Sequence, residues 1–210
     1  IARKMTKKPW NKECDCADCE LDARLMCAGS LKYSLYFGAP LLLGLIPAII
    51  GIRLSGYSLL IKILIFVGWV AYALFFFNVW ESRMLCNHCP YYADDSERTL
   101  HCPINKGMLK TSKYDPRPIN TSEKIQFIVG ALILVGIPLP FLIIDGQIIS
   151  TVLLIAGIIL WLVVIQLKVC TDCINFSCVL NRVPKEFRDE FLKKNPRIKK
   201  AWEEEGYEID

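Results

Sequence analysis

Four long apolar segments constrain this chain more than any other feature of its sequence. They run from about Tyr33 to Ile52, Tyr57 to Trp80, Ile125 to Ile144 and Gln147 to Leu167. Each is close to the roughly 20 residues that an α-helix needs to cross a bilayer. Nearly every charged residue lies between or beyond these segments. We therefore predict an all-α integral membrane protein with four transmembrane helices in contact with the lipid bilayer.

Short connections predict that the four helices form two hairpins. The first two segments are separated only by Gly51 to Gly56, and the last two by Asp145 and Gly146. Both hairpins should therefore begin and end on the same side of the membrane. Prolines interrupt the first and third helices at Pro40, Pro47, Pro138 and Pro140. Each proline removes a backbone donor, so a neighbouring helix must cover the carbonyl group that loses its partner.

The predicted helices divide the chain into five regions. Residues 1–32 are a Cys-rich N-terminal segment, 33–80 the first hairpin, 81–124 a Cys/His loop, 125–167 the second hairpin, and 168–210 a Cys motif with an amphipathic helical tail. Asn120 and Glu123 have the spacing of a capping box for the third helix. Phe191 and Trp202 fall on two short tail helices separated at Asn195. These helices suit docking on the membrane surface or on the cysteine-bearing loops.

Basic residues predict the orientation of the chain in the membrane. Of the 25 Lys and Arg residues, only Arg53 and Lys62 belong to the far-side turn of the first hairpin or its adjoining helix. The positive-inside rule therefore places both termini and all cysteine-bearing segments in the cytoplasm. That compartment is reducing, which favours metal ligation or redox work over disulfides. Acidic residues are interleaved with the basic ones, so we expect no nucleic-acid binding.

All ten cysteines lie outside the apolar segments, which is not the pattern of thiols that merely fill a core. The first group is Cys14, Cys16, Cys19 and Cys27. It has enough ligands for one tetrahedral metal site. The other six follow the return helices of the two predicted hairpins. They are Cys86, Cys89 and Cys102 after the first and Cys170, Cys173 and Cys178 after the second.

These two half-sites can combine in several ways. The simplest combination takes both CxxC pairs, Cys86, Cys89, Cys170 and Cys173. Cys102 and Cys178 would then be left for exchange, for a second ion or as replacement ligands. His88 and His101 are weaker candidates, either as ligands or as hydrogen-bond donors to ligands. The sequence does not choose among these arrangements.

Two Cys-Pro pairs favour iron–sulfur clusters, with zinc as the alternative. Cys89-Pro90 and Cys102-Pro103 resemble bacterial ferredoxin loops, in which a proline follows a ligating cysteine, although the full ferredoxin cysteine run is absent. We therefore expect an iron–sulfur subunit that passes electrons between a cytosolic redox partner and a membrane carrier or larger membrane complex.

Two other functions stay open at this stage. One is a non-enzymatic membrane scaffold or assembly protein whose structural zinc sites fold the cytoplasmic segments. The other is thiol–disulfide exchange or metal-ion handling through the CxxC motifs. The chain contains no P-loop, GxGxxG, GxSxG or HExxH motif. Nucleotide hydrolysis, dinucleotide binding and the familiar hydrolase chemistries therefore lack support, and catalytic residues stay unassigned.

Overall fold

The described part of the chain is helical and has no β-strand. The structure is a computed structural model and describes residues 21, 24–27, 31–94 and 97–210. Its α-helices are α1 Leu31–Leu54, α2 Leu59–Phe75, α3 Glu81–Met84, α4 Thr121–Gly136, α5 Pro138–Ile144, α6 Ile148–Lys168, α7 Lys185–Lys193 and α8 Pro196–Glu204. A π-helical segment, Phe76–Trp80, joins α2 to α3.

In the described part of the chain, four stretches are long and apolar enough to cross a membrane. They are Leu31–Leu54, Leu59–Met84, Thr121–Ile144 and Ile148–Lys168, each within a few residues of its predicted bounds. Many of their large apolar side chains are exposed, among them Leu64, Leu132 and Ile149. Exposed apolar surface of this extent needs an apolar environment such as lipid. The predicted class of all-helical membrane protein is therefore confirmed.

The first and last of these stretches form an antiparallel pair. Gly44 of α1 and Gly157 of α6 lie so close that a Cβ atom on Gly157 would collide with the Gly44 backbone. Beyond the helix ends, the Met26 N–H donates to the Asp172 carbonyl at 2.6 Å. Small residues allow this close approach, which gains van der Waals contact where lipid supplies no hydrophobic drive. Glycine contact therefore fixes the α1–α6 pair.

Aromatic hydrogen bonds connect a second helix pair. Trp69 Nε1 donates to the Leu134 carbonyl at 2.9 Å, Tyr72 Oη to the Gly130 carbonyl at 3.1 Å, and Trp80 Nε1 to the Gln126 carbonyl at 3.1 Å. The carbonyl of Leu134 is the one that Pro138 leaves without an intrahelical partner. The prediction that a neighbouring helix covers a carbonyl freed by proline is confirmed at this position.

The helices that contact each other most are not neighbours in sequence. The short segment 55–58 joins α1 to α2, yet α1 contacts mainly α6, while α2 and the π-helical segment contact α4. At one end of the bundle the Gly56 N–H donates to Asp145 Oδ1 at 2.9 Å, which joins the two short turns. A gap remains between the two helix pairs. Crossing of the bilayer as two sequential hairpins stays a prediction.

The predicted capping box and the two predicted tail helices are confirmed. Asn120 Oδ1 accepts a hydrogen bond from the Glu123 N–H, and a Glu123 carboxylate oxygen accepts one from the Asn120 N–H, both at 2.9 Å. This reciprocal capping box begins α4. The two short tail helices are α7 and α8, and Gly206 follows α8 with a φ of +85°.

Replacing Gly157 by leucine should separate α1 from α6. Because the site has no room for a side chain, we expect a loss of about 1–3 kcal/mol, the usual cost of overpacking. The measurement is the melting temperature of the purified protein in detergent. Gly38→Leu is the control, since a Cβ atom at Gly38 meets nothing within 4 Å. Equal melting temperatures for the two variants would contradict the close contact.

Candidate metal centre

Six of the predicted site residues line one cavity. The cavity has a volume of about 460 Å³ and occupies the gap between the two helix pairs. Its cysteines are Cys86, Cys89, Cys102, Cys170, Cys173 and Cys178. None of these six forms a disulfide with another described cysteine. The fold therefore brings the thiols of two distant segments to one place.

Hydrogen bonds fold the cysteine segments into one unit. Asn175 Nδ2 donates to the Leu85 carbonyl at 3.1 Å, which connects the second cysteine segment to the first. Tyr91 Oη donates to the Met26 carbonyl at 2.9 Å, which connects the first to the segment that carries Cys27. These side chains satisfy buried carbonyl groups, so losing one would leave a polar atom without a partner.

Four of the six thiols accept hydrogen bonds from backbone N–H groups. The donors are Tyr91 to Cys89, Ile104 and Asn105 to Cys102, Asn175 to Cys173, and Leu180 and Asn181 to Cys178. Each donor lies two or three residues after its cysteine, so each cysteine begins a tight turn. Burial raises the pKa of all four thiols, and the N–H groups offset part of that rise.

The other two thiols contact side-chain amides. Asn105 Nδ2 lies 3.3 Å from the sulfur of Cys86, and Gln166 Nε2 lies 3.8 Å from the sulfur of Cys170. Side-chain amides fix a sulfur less rigidly than a backbone turn does, because they keep their own rotamer freedom. The six cysteines therefore fall into a group of four, Cys89, Cys102, Cys173 and Cys178, and a pair, Cys86 and Cys170.

The thiols in the group of four also interact electrostatically. Burial raises the pKa of Cys173 well above its ordinary value, and neighbouring thiolates at Cys89, Cys102 and Cys178 raise it further. Burial raises the pKa of Cys89 in the same way, with Cys102 and Cys178 adding to the effect. Thiolates gathered in a buried place repel each other, and a bound cation removes that repulsion. Cys86 and Cys170 take part in the same repulsion, because thiolates at Cys102 and Cys89 add to the raised pKa of Cys86 and a thiolate at Cys170 adds to that of Cys178. The six thiols together therefore suit a positively charged metal centre.

The arrangement does not match a preformed site for one ion. Among residues 21, 24–27, 31–94 and 97–210, no three His, Cys, Asp or Glu side chains are placed to hold a metal ion. A zinc ion would draw its sulfur ligands to a single point, at about 2.3 Å each. An iron–sulfur cluster has several metal atoms and usually takes four thiolates. The described thiols line a cavity and do not converge on one point.

A buried carboxyl group, which the sequence reasoning missed, lies beside the thiols. Glu81 lines the cavity and is 7% exposed. Its Oε1 accepts a hydrogen bond from Asn105 Nδ2 at 3.0 Å, while its Oε2 has no hydrogen-bond partner within the described residues. The available signal was an acidic residue at the end of an apolar segment, five positions before Cys86. The π-helical segment immediately before Glu81 is a second sign, because such segments are frequent at functional sites.

Neither predicted histidine lines the cavity. His88 is buried, and its Nδ1 lies 3.1 Å from the carbonyl oxygens of Asp115 and Arg117. Burial lowers the pKa of His88, so the neutral ring predominates at pH 7. His101 is exposed to solvent. The position of His88 suits it to hold the 115–117 turn against the first cysteine segment.

The structure describes only one cysteine of the N-terminal group. Cys27 is buried and belongs to the same apolar cluster as Cys89 and Tyr91. Cys14, Cys16 and Cys19 lie outside the described residues. The predicted tetrahedral site of this group therefore stays a prediction, with one of its ligands located beside the cavity thiols.

The tail helices cover the cysteine segments. Phe191 and Leu192 of α7 and Ile198 and Trp202 of α8 are buried in the apolar cluster that contains Cys89. The tail sequence suits docking either on the membrane surface or on the cysteine-bearing loops. In the structure the tail docks on the cysteine-bearing loops. This cover removes the thiols from water, which raises the cost of leaving a charge there without a partner.

Asp189 holds the tail in its docked form. It is 3% exposed, and its two oxygens accept hydrogen bonds from Tyr207 Oη and Lys185 Nζ, each at 2.6 Å. Burial raises the pKa of Asp189, but these hydrogen bonds lower it by more, so the net pKa lies below the ordinary value. The carboxylate is therefore ionised at neutral pH.

No protein-family model matches this chain, and comparison with curated proteins and with solved structures gives no match either. The class of protein is therefore defined by its own fold and site. Within the described residues it is an all-helical protein with four helices able to span a membrane, in which thiols from two segments line one cavity.

Replacing Asp189 by asparagine should loosen the tail. A hydrogen bond to a charged group contributes about 1.5–3 kcal/mol, so we expect faster proteolysis between residues 185 and 205 at neutral pH. Glu190→Gln is the control, because the Glu190 carboxylate pairs with Lys194 on the helix surface. Cleavage at the same rate in both variants would show that Asp189 does not hold the tail.

Proposed function

We propose that this protein is a membrane-anchored iron–sulfur protein that transfers electrons at the cytoplasmic face of a membrane. The observation that supports it is the cavity in which six buried or partly buried thiols meet, at one end of four apolar helices. Thiolates are the usual ligands of iron–sulfur clusters, and these clusters carry single electrons. The helices would keep such a cluster next to the lipid.

The proposed cluster ligands are Cys89, Cys102, Cys173 and Cys178. Backbone N–H groups point at all four sulfurs, and hydrogen bonds to ligand sulfurs tune the reduction potential of a cluster. This set differs from the two CxxC pairs because side-chain amides, and not backbone N–H groups, contact the sulfurs of Cys86 and Cys170. When bound, the cluster supplies the one-electron chemistry, while the protein binds it, excludes water and holds the nearby Glu81 carboxyl group.

The N-terminal cysteines suggest a second centre on the path from the cytosol. Cys27 lies beside Tyr91 and Cys89, so a site made by Cys14, Cys16, Cys19 and Cys27 would adjoin the first. A cytosolic redox partner would deliver electrons there. This proposal includes the two-hairpin topology, with both termini and all cysteines in the cytoplasm, which the distribution of basic residues supports.

One of the two other functions receives less support from the site. Thiol–disulfide exchange needs accessible thiols with a lowered pKa. Burial instead raises the pKa of Cys178 to about 12 and that of Cys170 to about 11. A zinc scaffold would use the same thiols as ligands, so the metal content of the purified protein separates it from the iron–sulfur proposal.

Anaerobic purification should yield a coloured protein with iron and acid-labile sulfide. A thiolate-bound cluster absorbs visible light, and reduction by dithionite should bleach that absorption. The measurements are elemental analysis and absorption spectra before and after reduction. Apoprotein reconstituted with zinc is the colourless control. Stoichiometric zinc in the native protein, without iron and sulfide, would overturn the proposal in favour of the scaffold.

Alanine variants should distinguish the two possible ligand sets. Cys89 and Cys173 belong to both sets, so the informative variants are at the other four positions. We expect Cys102→Ala and Cys178→Ala to lose the visible absorption of the cluster, because three thiolates remain. Cys86→Ala and Cys170→Ala are the matched controls and should keep it. The reverse result would establish the two CxxC pairs as the ligands.

A further inference from the structure

The same cavity continues from the thiols into the apolar bundle. Its lining along α1 extends from Phe37 to Ile49, which is about 18 Å at the helical rise of 1.5 Å per residue. Opposite α1, it is lined by Phe66 and Trp69 of α2. One end of the cavity is therefore rich in thiols, and the rest is apolar and lies within the membrane-spanning helices.

The apolar part is lined by aromatic rings. They include Phe37, Phe66, Trp69, Phe77 and Trp161. Aromatic side chains stack favourably on other flat rings and provide large apolar contact areas. A volume of about 460 Å³ lies within the usual range for small-molecule and cofactor sites. A ligand with a flat ring and an apolar tail would fill such a space.

The polar groups of the cavity lie at its thiol end. Glu81, Asn105 and Asn175 line it there, and Glu81 Oε2 has no hydrogen-bond partner in the part of the chain that the structure describes. A protonated carboxyl oxygen at that position can donate to a carbonyl group of a ligand. The described lining contains no Lys, Arg or His, so the phosphate of a phospholipid would find no cation there.

We propose that this cavity binds a membrane quinone, with the quinone ring near Glu81 and the isoprenoid tail between the two helix pairs. The proposal rests on the proposed function, because the cluster would be the electron donor. The membrane carrier that accepts electrons from the cluster would then be a quinone.

The reaction balances with groups already named. A quinone takes up two electrons and two protons to become a quinol. A bound cluster would supply the two electrons one at a time, and the cytosolic partner would restore each of them. One proton would come from the Glu81 carboxyl group, whose O–H bond breaks as the quinone oxygen gains a proton. The second proton, and the proton that restores the Glu81 carboxyl group, would come from bulk water at the protein surface.

Quinone binding can be measured without the cluster. Quinones quench tryptophan fluorescence on contact, and Trp69 and Trp161 both line the cavity. We would titrate the purified protein, with and without its cluster, with a decyl-substituted benzoquinone. We expect saturable quenching in both forms.

Two alanines on one helix provide a matched pair of variants. Ala73 lines the cavity, whereas Ala71 is exposed on the outside of α2. Ala73→Phe should occupy the space that the ligand needs and weaken quinone binding about tenfold or more. Ala71→Phe should bind as the unchanged protein does. Ala131→Phe fills the same cavity from α4 and provides a second test if Ala73→Phe does not fold.

A Glu81→Leu variant tests the polar end of the cavity. Loss of one neutral hydrogen bond should weaken binding about 2- to 10-fold. In protein that retains its cluster, reoxidation of the reduced cluster by the quinone should slow in Ala73→Phe and not in Ala71→Phe.

The outcomes separate this inference from the proposed function. The quinone site would be overturned if the protein holds a cluster but the quenching does not saturate, or if Ala71→Phe and Ala73→Phe change the quenching equally. Either result would leave the iron–sulfur proposal standing. Saturable quenching in a protein that never holds a cluster would overturn the proposed function and electron transfer to the quinone. Unchanged binding in Glu81→Leu would overturn the placement of the ring.

Discussion

Glycine contact between α1 and α6 is the constraint on which the rest of the structure depends. Since Gly44 and Gly157 have no side chains, the first and last membrane-spanning helices approach closely along an antiparallel path. This pairing brings the segment before α1 next to the segment after α6, as the Met26–Asp172 hydrogen bond shows. It also leaves α2 and α4 to form their own pair, and the cavity is the space between the two pairs.

The site combines a thiol-rich environment with the apolar environment of the membrane-spanning helices. Its thiols meet in folded loops where backbone N–H groups point at sulfur, and Glu81 lies next to them at the end of a membrane-spanning stretch. A charge in such a place is costly unless a partner compensates it. Within the described residues, Glu81 Oε2 has no hydrogen-bond partner, so a polar ligand at that position would satisfy it.

Elements that depend on local sequence could be predicted, and those that depend on distant contacts could not. The four apolar helices, the Asn120–Glu123 capping box and the break before Pro196 follow from periodicity and capping chemistry. Pairing of α1 with α6 could not be read from the short turns, because it depends on two glycines 113 positions apart. The sequence likewise did not predict the backbone N–H contacts to the sulfurs of Cys102 and Cys178, because these contacts depend on how the loops fold.

The position of α7 and α8 in the chain has a consequence for how the protein matures. These helices cover the cysteine segments, and they follow every cysteine in the sequence. During synthesis the thiols therefore emerge before their cover exists. Any ligand of these thiols has an open path to them during that interval, and docking of the tail then shields them from water.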